Sequence, residues 1–332
     1  MNESLRVRAY ERTDDAAWDE FVAGSAMGTF LHTRRFLGYH GARFRDASVV
    51  LEDEGKCAGL VPAAIDPRDE TCIITHPGST FGGLLTTSHA RVADVEHMID
   101  LVLSHYRNQG FRRLTYKSIP TLFHALPTQL DVYSLWRKGG QLTRCDLWNT
   151  IRLGEPRRHS KGHKWSLNKA RKLDVQVDAR KDDSSYQAFH HLLETCLAER
   201  HAAKPVHSNE EVRTLRDLFP DAIMLWMAHA SDGELLATTW IFGHGQRAWH
   251  AQYIASSPRG RDQCAVDLLL ETVIVEAESQ GVRWFSFGAC TEDGGRALNE
   301  GLYNFKASFG GGSSVQQFFE FELASSSHVR LV

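Results

Sequence analysis

The residues best suited to do chemistry lie near the end of the chain, in NEGLYNFKASFG, 299–310. Lys306 stands there in an apolar frame, with Phe305 before it and Ala307 and Phe309 after it. Making an amide from an ester or thioester passes through a tetrahedral oxyanion, and a fixed cation aimed at that oxygen lowers the barrier. An apolar surround strengthens the field of such a cation and depresses its pKa. The same residues also read as a strand whose alternation turns Lys306 out to solvent between buried aromatics.

A second chemical feature is a basic run, Arg157, Arg158, Lys161, Lys164, Lys169, Arg171 and Lys172, with no acid between Pro156 and Leu173 and with Trp165 inside it. In a chain of net charge −3 this is a local attraction for phosphate rather than a global one. Trp165 adds a face on which a base can stack. A solvated helix face reads the same way. His159 and His163 are four apart, as metal ligands on a helix are, but Gly162 and the surrounding lysines disfavour a cation, so no metal site is expected. Cys290, after Phe287-Gly288-Ala289, could be offered as a nucleophile; a cysteine closing a buried strand reads better as packing. No GxSxG, HExxH or Walker loop occurs. The six cysteines (Cys57, Cys72, Cys145, Cys196, Cys264 and Cys290) form no CxxC pair, which predicts reduced thiols rather than a zinc knuckle or a disulfide framework. The opening MNESLRVRAYERTDDAAWDE has no signal-peptide core, and no stretch reaches the roughly 18 apolar residues of a membrane helix. The expectation is a cytoplasmic chain without a membrane span.

The elements that must position these residues come in two similar sets. DVEHMIDLVLSHYRN, 94–108, places Val95, Met98, Val102, His105 and Tyr106 on one helical stripe; Gln109-Gly110 stops it and FRRLTYK alternates as a strand. VDLLLETVIVEAES, 266–279, behaves alike before Gln280-Gly281 and VRWFSFG. Upstream of each, apolar alternating runs flank a turn, at Glu54-Gly55 and at Asp232-Gly233, and both predict β-hairpins. Hairpin, strand, helix and strand thus recur in order, which predicts duplicated α/β domains. With 42% hydrophobic residues, 332 residues suffice for two medium cores. The boundary falls where LWNTIRL meets GEPRRHSKGHK, with Gly154 and Pro156, giving domains 1–152 and 153–332. Helices are predicted at about 163–172 and 184–202.

Taken together, the two halves resemble the Fem transferases, aminoacyl-tRNA-dependent peptide ligases built from two tandem domains of the GNAT acyltransferase type. In the first half the resemblance rests on TFLHTRRFLGYHG (29–41) and HPGSTFGGLLT (76–86). In the second it rests on SLNKARKLDVQV (166–177), AERHAAKPVHS (198–208), LLATTWIFG, WFSFG and, most specifically, NEGLYNFKASFG. It implies an α/β (α+β) fold of two GNAT-like domains, each a mixed, mainly antiparallel twisted sheet flanked by helices, with the catalytic cleft in the second. It also implies a functional Phe-Lys pair at Phe305 and Lys306, and direct attack of an amine on the carbonyl without a covalent intermediate.

The resemblance divides on donor and acceptor. No tightly bound cofactor is implied, and aminoacyl-tRNA is the implied donor, for which the run from Arg157 to Lys172 is the phosphate-tracking surface. The alternative donor is acyl-CoA. Its pyrophosphate would meet SSPRGRDQCAVD, 256–267, which has Arg259, Gly260 and Arg261 but lacks a second glycine at the required spacing, so the two arginines would have to act by side chain. For the acceptor, Arg34 or Arg35 stands near where Fem ligases grip a diphosphate. A second basic position reads Pro205-Val206-His207-Ser208-Asn209, where His207 carries at most a fractional charge at neutral pH. Tyr253 is a pocket residue or a core aromatic, and Arg200 binds a carboxylate or closes a helix. A small amine or a peptide therefore both suit as acceptor. The family's long helical insertion against tRNA has no counterpart here. A non-catalytic RNA-binding module on a transferase scaffold is the reading from another class.

Overall fold

A computed structural model describes residues 4–199 and 203–323, with the backbone alone at 200 and 201. The chain forms two compact units, one of Met1–Asp146 with Gly294–Arg296 and Val315–Val332, the other of Leu147–Asp293 with Ala297–Ser314. The change of unit falls inside a strand rather than at a single cut at 152/153, and the end of the chain returns to the first unit.

In chain order the first unit has β1 (Arg6–Ala9), α1 (Asp15–Gly24), α2 (Arg34–Gly38), β2 (Val49–Asp53), β3 (Lys56–Val61), β4 (Ala64–Asp66), β5 (Asp69–Ile74), β6 (Leu85–Thr86), α3 (Val92–Asn108), β7 (Arg113–Lys117), α4 (Leu130–Arg137) and the start of β8 (Gln141–Arg152). The second has the rest of β8, then α5 (Lys161–Lys172), β9 (Gln176–Arg180), α6 (Asp183–His201), α7 (Asn209–Leu218), β10 (Ile223–His229), β11 (Leu235–Gly243), β12 (Ala248–Ser256), α8 (Pro258–Asp262), α9 (Ala265–Ser279), β13 (Trp284–Ala289), β14 (Thr291–Glu292), β15 (Ala297–Leu298) and α10 (Glu300–Ala307). The final strand, β16 (Gly312–Glu322), lies in the first unit from Val315 onward.

Of the predicted α3 stripe, Val95, Met98, Val102 and Tyr106 are buried, joined by Ile99 and Leu103, against Leu51, Ile73, Leu114 and Phe319, while His105 is only half-buried. The Tyr106 hydroxyl donates to the Ala47 carbonyl at 2.7 Å, so its polar end is satisfied within the core. Sheet order in this unit is β1-β2-β3-β6 and β4-β5-β7-β16. The break between β3 and β4 falls at Pro62, which has no N–H to give a ladder. In the second unit the order is β8-β13-β12-β11-β10-β9. There α9 buries Leu268, Leu269, Leu270, Val273, Ile274 and Ala277, nearly all round, against Ile241, Trp249, Phe285 and Phe287. At about 1.5–3 kcal/mol for each large apolar side chain, this helix anchors its unit. Both predicted hairpins form, β2–β3 and β10–β11. Among the described residues no helix is long and apolar enough to cross a membrane.

Each unit holds a parallel pair, β5 with β7 and β12 with β13. The second pair frames the candidate site.

Candidate active site

Strands β12 and β13 pair through only Ala248–Trp284, Trp249–Phe285 and His250–Ser286, although β12 continues to Ser256 and β13 to Ala289. Parallel strands that part in this way leave backbone groups facing a crevice at their carboxyl ends, where open α/β sheets take their ligands. Gln252, on β12 just past the last pair, has a buried Oε1 without a hydrogen-bond partner.

The segment that brings Lys306 to this place is built locally. Asn299 caps α10, its Oδ1 accepting from the Leu302 N–H at 3.0 Å, and its Nδ2 donates to Glu292 at 2.8 Å. Phe309 is fully buried, 5.1 Å from the Phe287 ring and 5.5 Å from Phe305. Gly310, at φ 86°, passes so close to Arg158 that an added Cβ would lie 2.8 Å from its backbone nitrogen. Lys306 is therefore on a helix, not a strand, and its residue is only 5% exposed. The solvent-facing reading of this lysine does not hold. Its Nζ donates to the carbonyls of Ala289 at 2.7 Å and Gly288 at 3.3 Å, at the end of β13. Among the described residues no carboxylate forms an ion pair with it. Burial lowers its pKa, and the neighbouring Cys290 opposes that in part.

Around it sit Cys290, read from the sequence as a packing residue, and groups that sequence reasoning did not single out. His250 Nδ1 lies 3.1 Å from Ser286 Oγ, and its ring stacks on Trp148 at 5.2 Å. Burial, and after it the charge of Lys306, pushes His250 down to about 3, so the imidazole is neutral at ordinary pH. Cys290 Sγ donates to Asn149 Oδ1 at 2.6 Å. These residues stand in apolar strand runs, where alternation marks only which side they face.

The other candidate residues divide sharply. Tyr253, on the open stretch of β12, has its hydroxyl 2.8 Å from His207 Nδ1 and its ring stacked on Trp240, and burial raises its pKa to about 12. The carbonyl of His207 accepts from His190 at 3.0 Å. His207 and Tyr253 are thus a bonded pair. Arg35 is exposed on α2 of the first unit, while Arg34 pairs with Asp46 and lies 3.6 Å over the Tyr10 ring. The Arg200 side chain lies outside the described residues.

The basic run does not act as one patch. Ser160 caps α5, and His163, Leu167 and Ala170 form its buried face. Lys161, Lys164, Arg171 and Lys172 are exposed on the other side, with Arg158 before them; Trp165 is 61% exposed, with Lys169 Nζ 5.0 Å over its ring. Arg157 turns inward instead, donating to Glu271 at 2.8 and 3.1 Å, and its Nη1 is 3.2 Å from His159 Nε2. His163 Nδ1 is 3.0 Å from Asp267. Burial alone would raise Glu271, but His163 and Arg157 reverse that and hold it down to about 2. Arg157 must therefore be taken out of the phosphate-binding set. Donor atoms of His159, His163 and Glu271 lie within 4.8 Å of one another, yet the Arg157 guanidinium already supplies positive charge to the same carboxylate and ring. Arg157 thus engages Glu271 and the His159 ring, while His163 Nε2 is buried without a hydrogen-bond partner.

Arg259 and Arg261 are also engaged. Arg259 reaches Asp232 at 2.7 Å and Glu234 at 2.6 Å, and Arg261 donates to the Ser256 carbonyl at 2.9 Å. Gly260 is required by packing, since an added Cβ would lie 2.0 Å from the Leu236 carbonyl oxygen on β11.

Residues 157–306 match the model of the acetyltransferase (GNAT) domain family. No curated protein matches the chain by sequence. Among solved structures, FemX is similar over 96% of this chain and 97% of its own, with a TM-score of 0.68 at 11% identity. L-PGS from Bacillus licheniformis covers 96% and 94%, with a TM-score of 0.62 at 11% identity. A tandem GNAT protein from the clavulanic acid biosynthesis pathway covers 97% and 100%, with a TM-score of 0.51 at 12% identity. The domain match gives the class: the protein is an acyltransferase by its GNAT-type domain. Its particular architecture is the Fem-like tandem GNAT fold.

Proposed function

We propose that the protein moves an aminoacyl or acyl group onto an amine, preferably from aminoacyl-tRNA, by direct attack in the second unit, with Lys306 stabilising the oxyanion. The observation that carries this reading is an ammonium 5% exposed, at the end of the parted strand pair, with no carboxylate among the described residues to neutralise it. A buried unpaired cation is costly unless an anion comes to meet it, and a tetrahedral oxygen does so only as the reaction proceeds. The attacking amine needs no protein nucleophile. Tyr253 stands on the open stretch of β12, with His207 from the segment before α7 bonded to it, where the pair can orient that amine.

Support for tRNA comes from the outer face of α5, where exposed lysines and arginines flank Trp165. Acyl-CoA is the second reading, favoured by the acetyltransferase-domain match. Against it, the arginines of the α8 turn are held by Asp232, Glu234 and Ser256. The test incubates purified protein with charged tRNA pools and candidate amines and looks for a new amide by mass spectrometry, with calorimetric titration of CoA alongside. Saturable CoA binding with no tRNA-dependent product would transfer the proposal to the CoA donor. Salt-sensitive RNA binding without any amide would leave a binding module.

A further inference from the structure

Behind α5, two imidazoles and a carboxylate converge within the second unit. Glu271 Oε2, on α9, lies 3.6 Å from His163 Nε2 and 3.6 Å from His159 Nε2, and all three donor atoms are within 4.8 Å of one another. Ligand atoms around a tetrahedral zinc ion stand roughly 3.3 Å apart, given bonds of about 2.0–2.1 Å, so these separations need little closing. His163 is held as a ligating histidine is held. Its side chain is fully buried, Nδ1 is 3.0 Å from Asp267 one turn earlier on α9, and Nε2 faces Glu271 without a hydrogen-bond partner. A carboxyl group bonded to one ring nitrogen orients the other toward a metal. The lysines that spoke against a cation at these histidines, Lys161 and Lys164, are exposed on the outer face of α5.

Arg157 is the group an ion must displace, since its Nη1 is 3.1 Å from Glu271 Oε2 and 3.2 Å from His159 Nε2. Arg157 and His159 also line a surface cavity of about 390 Å³, with Gly154, Glu155, Pro156 and Glu278. That cavity joins the histidines to solvent, and Glu155 and Glu278 offer carboxyl groups to a guanidinium that swings into it. A divalent ion carries twice the charge of the guanidinium it replaces, and two carboxyl groups, Asp267 and Glu271, are there to meet it. Imidazole with carboxylate suits zinc and its transition-metal neighbours better than calcium or magnesium.

We propose that His159 Nε2, His163 Nε2 and a Glu271 carboxylate oxygen bind a divalent transition ion of the zinc type, with water as the fourth ligand and Arg157 turned out into the cavity. The ion fastens the segment before α5 to α9. The rival occupant of the same place is a second proton on His163, which burial disfavours and which Asp267, and then Glu271, favour more strongly.

The test uses the full chain stripped with EDTA and no acyl transfer, so it stands apart from the transferase reading. Calorimetric titration with zinc is expected to show one saturable site per chain, and cobalt in its place the visible absorption of a four-coordinate ion. His163→Ala abolishes the site, and so does His159→Ala, a part-exposed side chain whose truncation the fold tolerates. Asp267→Ala weakens it by about 10- to 100-fold. Arg157→Ala tightens it by at least about tenfold, because the ion no longer breaks a buried pair, and zinc then restores the melting temperature which that substitution lowers. No saturable zinc binding by the unaltered chain overturns the proposal. So does binding that survives both histidine substitutions, which would put the ion elsewhere, and so does binding confined to Arg157→Ala, which would leave the guanidinium as the native occupant.

Discussion

The two units carry the same parallel strand pair and use it oppositely. In the first, β5 and β7 pair through Cys72–Arg113, Ile73–Leu114 and Ile74–Thr115, and the chain then turns at His76, with φ 53°. Residues 76–84 fold back onto the end of β7. The Lys117 ammonium donates to the carbonyls of His76, at 3.1 Å, and Ser79, the Gly82 N–H reaches the Lys117 carbonyl, and the Leu84 N–H reaches the Tyr116 hydroxyl at 2.7 Å. In the second, β12 passes through Ser257 straight into α8, and the end of β13 is met by α10 with Lys306. Both units therefore bury a lysine beside a core strand. Lys117 clamps a segment that closes its strand pair, whereas Lys306 stands where the strands stay parted. Duplication of a scaffold thus does not duplicate a site, because one loop of the chain's own residues is enough to occupy it.

The strongest way to break this comparison is to remove each lysine in turn. Lys306→Ala is expected to lower amide formation by at least about 100-fold, as loss of an oxyanion-stabilising group does, with little change in the fold. Lys117→Met is expected to leave the chemical step intact and lower stability by about 1–3 kcal/mol, because the carbonyls of His76 and Ser79 lose their donor. If Lys117→Met abolished turnover in a folded protein while Lys306→Ala did not, the assignment of chemistry to the second unit would be reversed.

Arg157 sharpens the same contrast from within the second unit. It and Glu271 are 11% and 9% exposed, so Arg157→Ala strands a buried carboxylate and is expected to cost about 3 kcal/mol in denaturant unfolding. Glu271 is held down to about 2 against an ordinary 4.5. Between those values the unfolded chain binds more protons, so the stabilisation is present above 4.5 and is lost as pH falls through the window. Glu271→Gln should remove that acid dependence.

Lys117 contributes a penalty instead, with the same direction of pH dependence. Burial first, and Arg144 after it, lowers it to about 7 from 10.5. Between these values the unfolded chain again holds the extra proton, so the penalty is full below about 7 and fades as pH rises toward 10.5. Thermal melts over that range should show the unaltered protein gaining on Lys117→Met. The smallest effect is expected on the outer face of α5. Each of Lys161→Ala, Lys164→Ala and Arg171→Ala should weaken tRNA binding modestly and reduce the slope of log affinity against log salt by about 1 for each phosphate no longer neutralised, leaving melting unchanged.

Much of the scaffold was legible locally. The helices α3 and α9, their Gln-Gly stops and the two hairpin turns depend on residues a few positions apart and form where they were read, although α3 buries Ile99 and Leu103 rather than His105 and α9 is buried nearly all round. Lys306 was named from its apolar frame, but its helix was not, since Phe305, Lys306 and Phe309 satisfy either period over so short a run. The inward turn of Arg157 was invisible because Glu271 is 114 positions away, and Asn149 and Cys290 are 141 apart. Nothing local separates a lysine that faces solvent from an arginine that faces a buried carboxylate.

By itself, the amino-acid order determined two successive α/β sets, their hairpins and helices, and a lysine framed by aromatic rings, because periodicity, turn chemistry and capping act over a few residues. Only the tertiary structure decided which strand pair stays parted, which cations turn inward, and that the Lys306 ammonium rests on the end of β13. Those outcomes come from pairings between distant segments, whose energies depend on burial and charge that exist only once the chain has folded.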